Sequence, residues 1–257
     1  MLLYLLTWFL FNQNAIIQNE LSPSPHLQKL VQAYPDFIKS ATDNTITWKD
    51  GTVMQFDDNI KNKKFEQLLN SPDLEDMFAF DYPKTKDYLP IARNQDAGRI
   101  RKEDFFLKMY GKTKQEVQSK LTTIVWLPKT LKTTLQVTTV NNVHKKLEAI
   151  SAELDQKPHL LTYLTDVGGT FNWRNIAGTT RMSAHSFGTT IDINVKYSNY
   201  WRWAAKNPTE DSPMIIEYKN RIPYEIVAIF EKHGFIWGGK WYHYDTMHFE
   251  YRPELLL

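Results

Sequence analysis

A chain of 257 residues, 42% hydrophobic and 23% charged, has the composition of an ordinary globular protein, which excludes a disordered or fibrous one. Its 31 basic and 29 acidic residues give a formal net charge of +2, and no run of like charges points to a nucleic-acid partner. Because the chain has no cysteine, disulfides, thiolate metal sites and cysteine nucleophiles are excluded, and a metal ion would need His, Asp or Glu ligands.

The first residues have the character of a secretory signal peptide. Leu2 to Phe11 are apolar or aromatic except for Thr7, and this length suits a signal peptide but is too short for a membrane span. We therefore expect residues 1–20 to be a signal peptide, with a mature chain that begins between about residues 15 and 25. Export to the bacterial periplasm or exterior would follow. A buried first helix or strand in a cytosolic hydrolase is the alternative.

The following elements have no regular strand–helix–strand rhythm. Apolar spacings of three and four, with turn residues between them, predict helices at 27–38 (interrupted by Pro35), 103–110, 114–121, 142–154 and 223–233. Residues 65–69 and 73–80 are expected to be helical or irregular. Extended patterns predict a hairpin at 45–54 around an Asp-Gly turn and strands at 122–127 and 159–164. This irregular mixture favours an α+β fold.

A first polar cluster lies around a strand near residue 190. Residues 190–195 alternate strictly, which places Thr190 and Asp192 on one face and aliphatic side chains on the other. His185 precedes this strand, and Gly188 gives the backbone the freedom to bend back. A histidine and an aspartate so placed could share one metal ion.

A second polar cluster lies near the C-terminus. His248 and Glu250 share one face of a predicted strand, while Phe249 and Tyr251 take the other. If His248 completes a set of two histidines and one carboxylate, the metal ion keeps a position open for water, as in catalytic zinc sites. Asp245, three residues earlier, would then be able to accept the proton of that water.

Together the two clusters resemble the M15 peptidases of the D-alanyl-D-alanine carboxypeptidase type, especially the L-alanyl-D-glutamate endopeptidase branch. The family patterns S-x-H-x-x-G-x-A-x-D and W-x-x-x-[DE]-x-x-H-F are matched at eight positions: Ser183, His185, Gly188, Asp192, Trp241, Asp245, His248 and Phe249. Thr190 departs from the pattern, where alanine is usual. The resemblance covers about residues 160–257.

The resemblance implies an antiparallel sheet flanked by helices, with a D,D-peptidase/Hedgehog-like catalytic core. On this basis we expect residues 21–120 to form an N-terminal portion packed on the core. Residues 121–257 are expected to form the zinc peptidase catalytic domain.

The same resemblance implies one Zn²⁺ ion per chain. Its ligands would be His185, Asp192 and His248, and Asp245 would be the general base. A nearby cation would stabilise the developing oxyanion or a substrate carboxylate.

Arg174 is our prediction for this cation, and Arg181 is the rival. Arg181, Ser183 and Trp241 are also predicted to contact the substrate, with the Ser183 hydroxyl fixing its turn. His243 is expected to be exposed, and the alternatives are a partner of a metal ligand or a spare ligand.

Two aromatic features have an open interpretation. Trp237 is expected to pack in the core. Residues 200–203, Tyr-Trp-Arg-Trp, form either a surface that stacks on wall glycans or the start of a helix that packs on the core.

The resulting functional prediction is hydrolysis of peptide bonds in peptidoglycan stem peptides by a monomer, as an endopeptidase or a D,D- or L,D-carboxypeptidase. The alternative is a zinc-containing wall-binding protein that has lost turnover. Thr190 is the only hint of such a loss, and the presence of Asp245 argues against it.

Overall fold

The computed structural model describes residues 24–204, 209, 210, 212 and 215–257. The predicted signal peptide lies outside the described residues. The α-helices are α1 Pro25–Ala33, α2 Phe65–Asn70, α3 Glu103–Tyr110, α4 Lys114–Gln118, α5 Val143–Leu154, α6 Trp201–Ala204 and α7 Tyr224–Lys232. The strands are β1 Ile38–Thr42, β2 Thr45–Trp48, β3 Val53–Gln55, β4 Leu121–Trp126, β5 Thr133–Thr138, β6 Val167–Gly169, β7 Thr190–Asn194, β8 Phe235–Trp237 and β9 His248–Tyr251.

The described strands form three antiparallel sheets. Their orders are β1-β2-β3, β4-β5 and β6-β7-β9-β8. Short helices pack between and beside them, so the predicted mixture of helices with antiparallel sheets is confirmed. Among the described residues, no helix is long and apolar enough to cross a membrane.

Local sequence signals explain several of these elements. The Ser24 side chain accepts a hydrogen bond from the Leu27 backbone N–H at 3.2 Å, and Pro25 occupies the first turn of α1. The predicted hairpin is present as β2 and β3, with Gly51 at a φ of 85° in its turn. Helix α7 ends before Gly234, whose φ is 88°.

One predicted strand needs correction, and several strands were not predicted. The stretch predicted as a strand at 159–164 is a 3₁₀ helix, Pro158–Tyr163. Proline at its start favours a first helical turn, and Leu160 and Leu164, four residues apart, are the buried side chains. Strands β1, β5, β6 and β8 were not predicted. Strands β6 and β8 have only three residues each, and in β5 the buried apolar alternation is limited to Leu135 and Val137.

The buried side chains form a cluster that includes both ends of the described chain, from Leu27 to Leu255. A polar contact reinforces this packing: the Tyr34 hydroxyl donates a 2.6 Å hydrogen bond to the Glu254 carboxylate. Residues of the N-terminal portion therefore share a core with the four-stranded sheet, which holds the site described next.

Candidate metal centre

Strands β7 and β9 pair with each other inside the four-stranded sheet and bring two predicted ligands together. Asp192 and His248 are partners in the antiparallel register. On the opposite face, Ile191 and Phe249 are fully buried. The alternation read from the sequence thus fixes which side chains face the site.

His185 reaches the same place from a 3₁₀ turn, Ala184–Phe187. Gly188 follows at a φ of 67°, and a Cβ there would lie 2.7 Å from the Leu121 side chain, so glycine is needed both for the turn and for the close approach. The His185 Nδ1 atom lies 2.7 Å from the Thr170 carbonyl oxygen. Because a carbonyl only accepts, Nδ1 carries a proton, and Nε2 is the nitrogen that faces the site.

The three side chains form a compact donor set. One ligand atom from each of His185, Asp192 and His248 lies within 4.8 Å of the others. The His185 Nε2 atom is 3.2 Å from one Asp192 oxygen, and the His248 Nδ1 atom is 3.0 Å from the other. On its far side, His248 Nε2 lies 3.4 Å from the Glu250 carboxylate.

The electrostatics of this set favour a cation at its centre. Burial alone would raise the pKa of Asp192, but His185 and His248 hold it well below its usual range. Burial alone would lower the pKa of His248, but hydrogen bonds to Asp192 and Glu250 raise it to about 10. A divalent cation could take the place of the proton held here, and two imidazoles with one carboxylate are donors that suit zinc.

Asp245 stands beside the donor set and is half-buried. Its Oδ1 atom is buried and has no hydrogen-bond partner among the described residues. Burial and then the charge of Asp192 raise the pKa of Asp245 to about 7. Its backbone N–H donates to the Gly238 carbonyl, and a Cβ at Gly238 would lie 2.6 Å from the Asp245 carbonyl oxygen. A carboxylate with such a pKa and an unused oxygen can exchange a proton with water.

A cavity of about 330 Å³ joins these groups. The residues predicted for the site that line it are Arg174, Ser183, His185, Asp192, Trp241, Asp245 and His248. Arg174 is exposed at this cavity. Arg181 instead lines a neighbouring cavity of about 300 Å³ and pairs with Glu210.

The Ser183 hydroxyl was predicted to fix its turn, but it does not. Ser183 precedes the 3₁₀ turn, but its side chain makes no capping hydrogen bond. The Ser186 hydroxyl ties the turn instead, since it accepts from the Arg174 N–H at 3.0 Å and donates to the Arg174 carbonyl at 2.9 Å.

His243 was predicted to be exposed, and this was wrong, since it is 2% exposed. Its Nδ1 atom lies 2.6 Å from the carboxylate of Asp96, which also accepts from the His243 backbone N–H. The turn that contains Asp96 also contacts Trp241, because the Ala97 carbonyl accepts a hydrogen bond from the Trp241 indole. Trp237 is fully buried, as predicted.

Sequence reasoning missed two arginines that line the metal cavity, Arg99 and Arg101. Arg101 donates to the Glu250 carboxylate at 3.0 Å, so it helps to hold the group that faces His248. The only local signal was their spacing, Gly-Arg-Ile-Arg, directly after the predicted turn at 96–98.

Comparison with known protein families finds a match for the part of the chain that carries most of these residues. Residues 177–251 match the D-alanyl-D-alanine carboxypeptidase model of the M15 peptidase family. The predicted resemblance is thereby confirmed for this M15 segment, which contains all eight matched positions of the two patterns. M15 peptidases are zinc-dependent, which agrees with the donor set. No curated protein and no solved structure matches the chain.

Proposed function

We propose that the chain is a zinc-dependent peptidase that hydrolyses peptide bonds in peptidoglycan stem peptides, as an endopeptidase or a D,D- or L,D-carboxypeptidase. The observation that carries this proposal is the buried, unpartnered carboxylate oxygen of Asp245 in one cavity with the three-donor set. The set and Asp245 both lie in the M15 segment, and a D,D-peptidase/Hedgehog-like core is the fold that we propose for it.

Each residue of the centre has a separate task. Bound by His185, Asp192 and His248, Zn²⁺ would supply a Lewis acid that polarises the scissile carbonyl and eases deprotonation of water. Asp245 accepts the proton of the attacking water and returns it to the leaving amine. Glu250 orients the His248 ring through its far nitrogen.

The cation beside the reacting carbonyl is proposed to be Arg174. Its guanidinium donates to the Asn175 carbonyl at 3.3 Å, and no carboxylate of the described residues lies within ion-pair distance of it. It is therefore available to an oxyanion or a substrate carboxylate. Ser183 and Trp241 line the same cavity and would contact the peptide.

The place of action is part of the proposal. A wall peptide is reached outside the cytoplasmic membrane, and the apolar stretch at 2–11 supplies the export signal in this proposal. N-terminal sequencing of the protein from its native host tests this, and an intact Met1 on exported protein would contradict it.

The decisive experiment is digestion of purified peptidoglycan by the zinc-loaded protein, with mass spectrometry of the new amino and carboxyl ends. New ends at one type of stem-peptide bond are expected, and these ends also identify the bond. The Asp245→Asn protein serves as the control. If the wild type binds zinc and wall peptide yet creates no new ends, the chain is a wall-binding protein and not a peptidase.

A further inference from the structure

Two largely buried arginines next to the metal cavity hold a carboxylate that belongs to the chain itself. The Arg181 Nη2 atom lies 3.0 and 2.8 Å from the two carboxylate oxygens of Glu210. Arg99 donates to the same carboxylate. Glu210 lies in a turn and is 111 residues from Arg99 in sequence. A carboxylate between two guanidinium groups accepts strong, charge-assisted hydrogen bonds from both.

This arginine pair lies at the junction of two cavities. Arg99 lines the cavity that contains the metal donor set and also the neighbouring cavity of about 300 Å³, which Arg181 lines as well. Burial is the main reason for the raised pKa of Tyr200, which lines the metal cavity, and the charges of Asp245 and Glu210 raise this pKa further. Arg99 therefore connects the arginine pair to the cavity that contains the metal donor set.

Without Glu210 the arginine pair lacks one negative charge. Arg99 retains the Asp96 carboxylate at 2.6 Å. Arg181 has no second carboxylate within ion-pair distance in the described part of the chain, and its buried Nε atom has no partner there. Because an uncompensated buried guanidinium is unfavourable, an anion is the group best suited to replace Glu210.

We propose that Arg99 and Arg181 form a carboxylate subsite for the substrate, and that Glu210 occupies this subsite while no peptide is bound. The inference rests on the proposed peptidase function, because stem peptides supply carboxylates. A peptide has to displace Glu210, which lowers its apparent affinity. A carboxylate neutralises the charge of the two guanidinium groups and a neutral group does not, so the subsite favours acidic peptides.

Calorimetric titration of the full-length, zinc-loaded protein tests the subsite with three probes. The first is the tripeptide L-alanyl-γ-D-glutamyl-L-lysine, the second carries an amide at the glutamyl α-carboxyl, and the third carries an amide at the C-terminus. In the wild type, the free acid should bind about tenfold more tightly than the probe in which the carboxylate that the subsite binds has become an amide. The weaker amide identifies which of the two carboxylates is bound.

Variants then test the competition by Glu210. Glu210→Gln removes the internal anion with little change in shape. The free acid should then bind about tenfold more tightly than to the wild type, while the affinity of the amide probe that binds the wild type weakly should change little. Arg181→Gln should abolish the preference for the acid. The matched control is Glu217→Gln, because the Glu217 side chain is 76% exposed and pairs only with Lys219 among the described residues.

Equal binding of all three probes to the wild type would overturn the subsite, and this arm needs no variant to fold. Unchanged affinity for the free acid in a folded Glu210→Gln protein would show that Glu210 does not compete with the peptide and has only a structural role. Mass spectrometry of the recovered probes reports cleavage separately. Charge-dependent binding without any cleavage of probes or wall would defeat the peptidase function alone, whereas cleavage without charge preference would defeat the subsite alone.

Discussion

Asp192 and His248 are register partners on neighbouring strands, and the His248 Nδ1 atom lies 3.0 Å from an Asp192 carboxylate oxygen. Two of the three donors are thus placed by backbone pairing between strands. The third, His185, is fixed by its hydrogen bond to the Thr170 carbonyl. A donor set on rigid elements needs little rearrangement to bind a metal ion.

The first prediction concerns the metal itself. Purified protein should contain about one zinc per chain, since one set of three protein ligands is present in the proposed centre. His248→Ala, and a double replacement of His185 and Asp192 by alanine, should lose most of the zinc and the activity together. Elemental analysis checks this. His159→Ala is the control, because its side chain is 63% exposed and faces Glu225. Full zinc content in the double variant would contradict the assignment.

The second prediction separates the base from the ligands. Asp245→Asn keeps the size of the side chain but cannot accept the proton, so turnover should fall by about 10²–10⁴-fold while zinc is retained. Steady-state kinetics and elemental analysis on the same sample check this. Asp43→Asn, at an exposed position, should leave both unchanged. Near-normal turnover of a zinc-loaded Asp245→Asn protein would place the base elsewhere, with Glu250 or His243 as the next residues to examine.

The third prediction concerns Arg174. If its guanidinium stabilises the oxyanion, Arg174→Gln should lower kcat by about 10²–10³-fold without loss of zinc. If it instead binds a substrate carboxylate equally in the ground and transition states, KM rises and kcat stays the same. Arg221→Gln is a matched control, since that guanidinium contacts the Lys196 and Ser198 carbonyls outside the cavity. No change in either constant would remove Arg174 from the site.

The fourth prediction tests the carboxylate behind His248. Glu250→Gln should weaken zinc binding by about 10–100-fold, as is typical for a partner that orients a metal-ligating histidine. Competition with a chelator of known affinity measures the change, after circular dichroism has shown that the variant is folded. Glu66→Gln, at an exposed position, is the control. Unchanged zinc affinity in a folded variant would show that Glu250 acts only in its ion pairs with Arg101 and Arg252.

Features that depend on local periodicity could be predicted from the sequence. Strict alternation in the strand at 190–194 sets the direction of Asp192, and an aromatic residue on each side of Glu250 does the same for the strand of His248. Joining these strands across 56 residues of chain needed the family resemblance, since spacing alone carries no information on which strands pair.

Contacts between distant segments could not be predicted. His243 is buried because Asp96, 147 residues away, accepts its hydrogen bonds. Arg99 and Glu210 are likewise 111 residues apart. In each case a polar residue that looks solvated in its own segment is buried and neutralised by a group that only the tertiary fold supplies.

The last prediction is that zinc binding releases a proton. In the metal-free protein the pKa of His248 is about 10, so the imidazole is charged at pH 8 and has to become neutral to bind zinc. At that pH, Asp245, with a pKa of about 7, is mostly ionised already, and release should be about one proton per zinc.

The same raised pKa of His248 sets the pH dependence. Its contribution to the stability of the metal-free protein is complete below about pH 6.5 and is lost as the pH rises through about 10. Zinc affinity should increase over the same interval, by up to about tenfold per pH unit. Calorimetry in buffers of different protonation enthalpy measures the proton count, and thermal unfolding of metal-free protein from pH 6 to 10 measures the stability. A zinc affinity that does not vary between pH 7 and 9 would show that His248 is neutral before the metal binds.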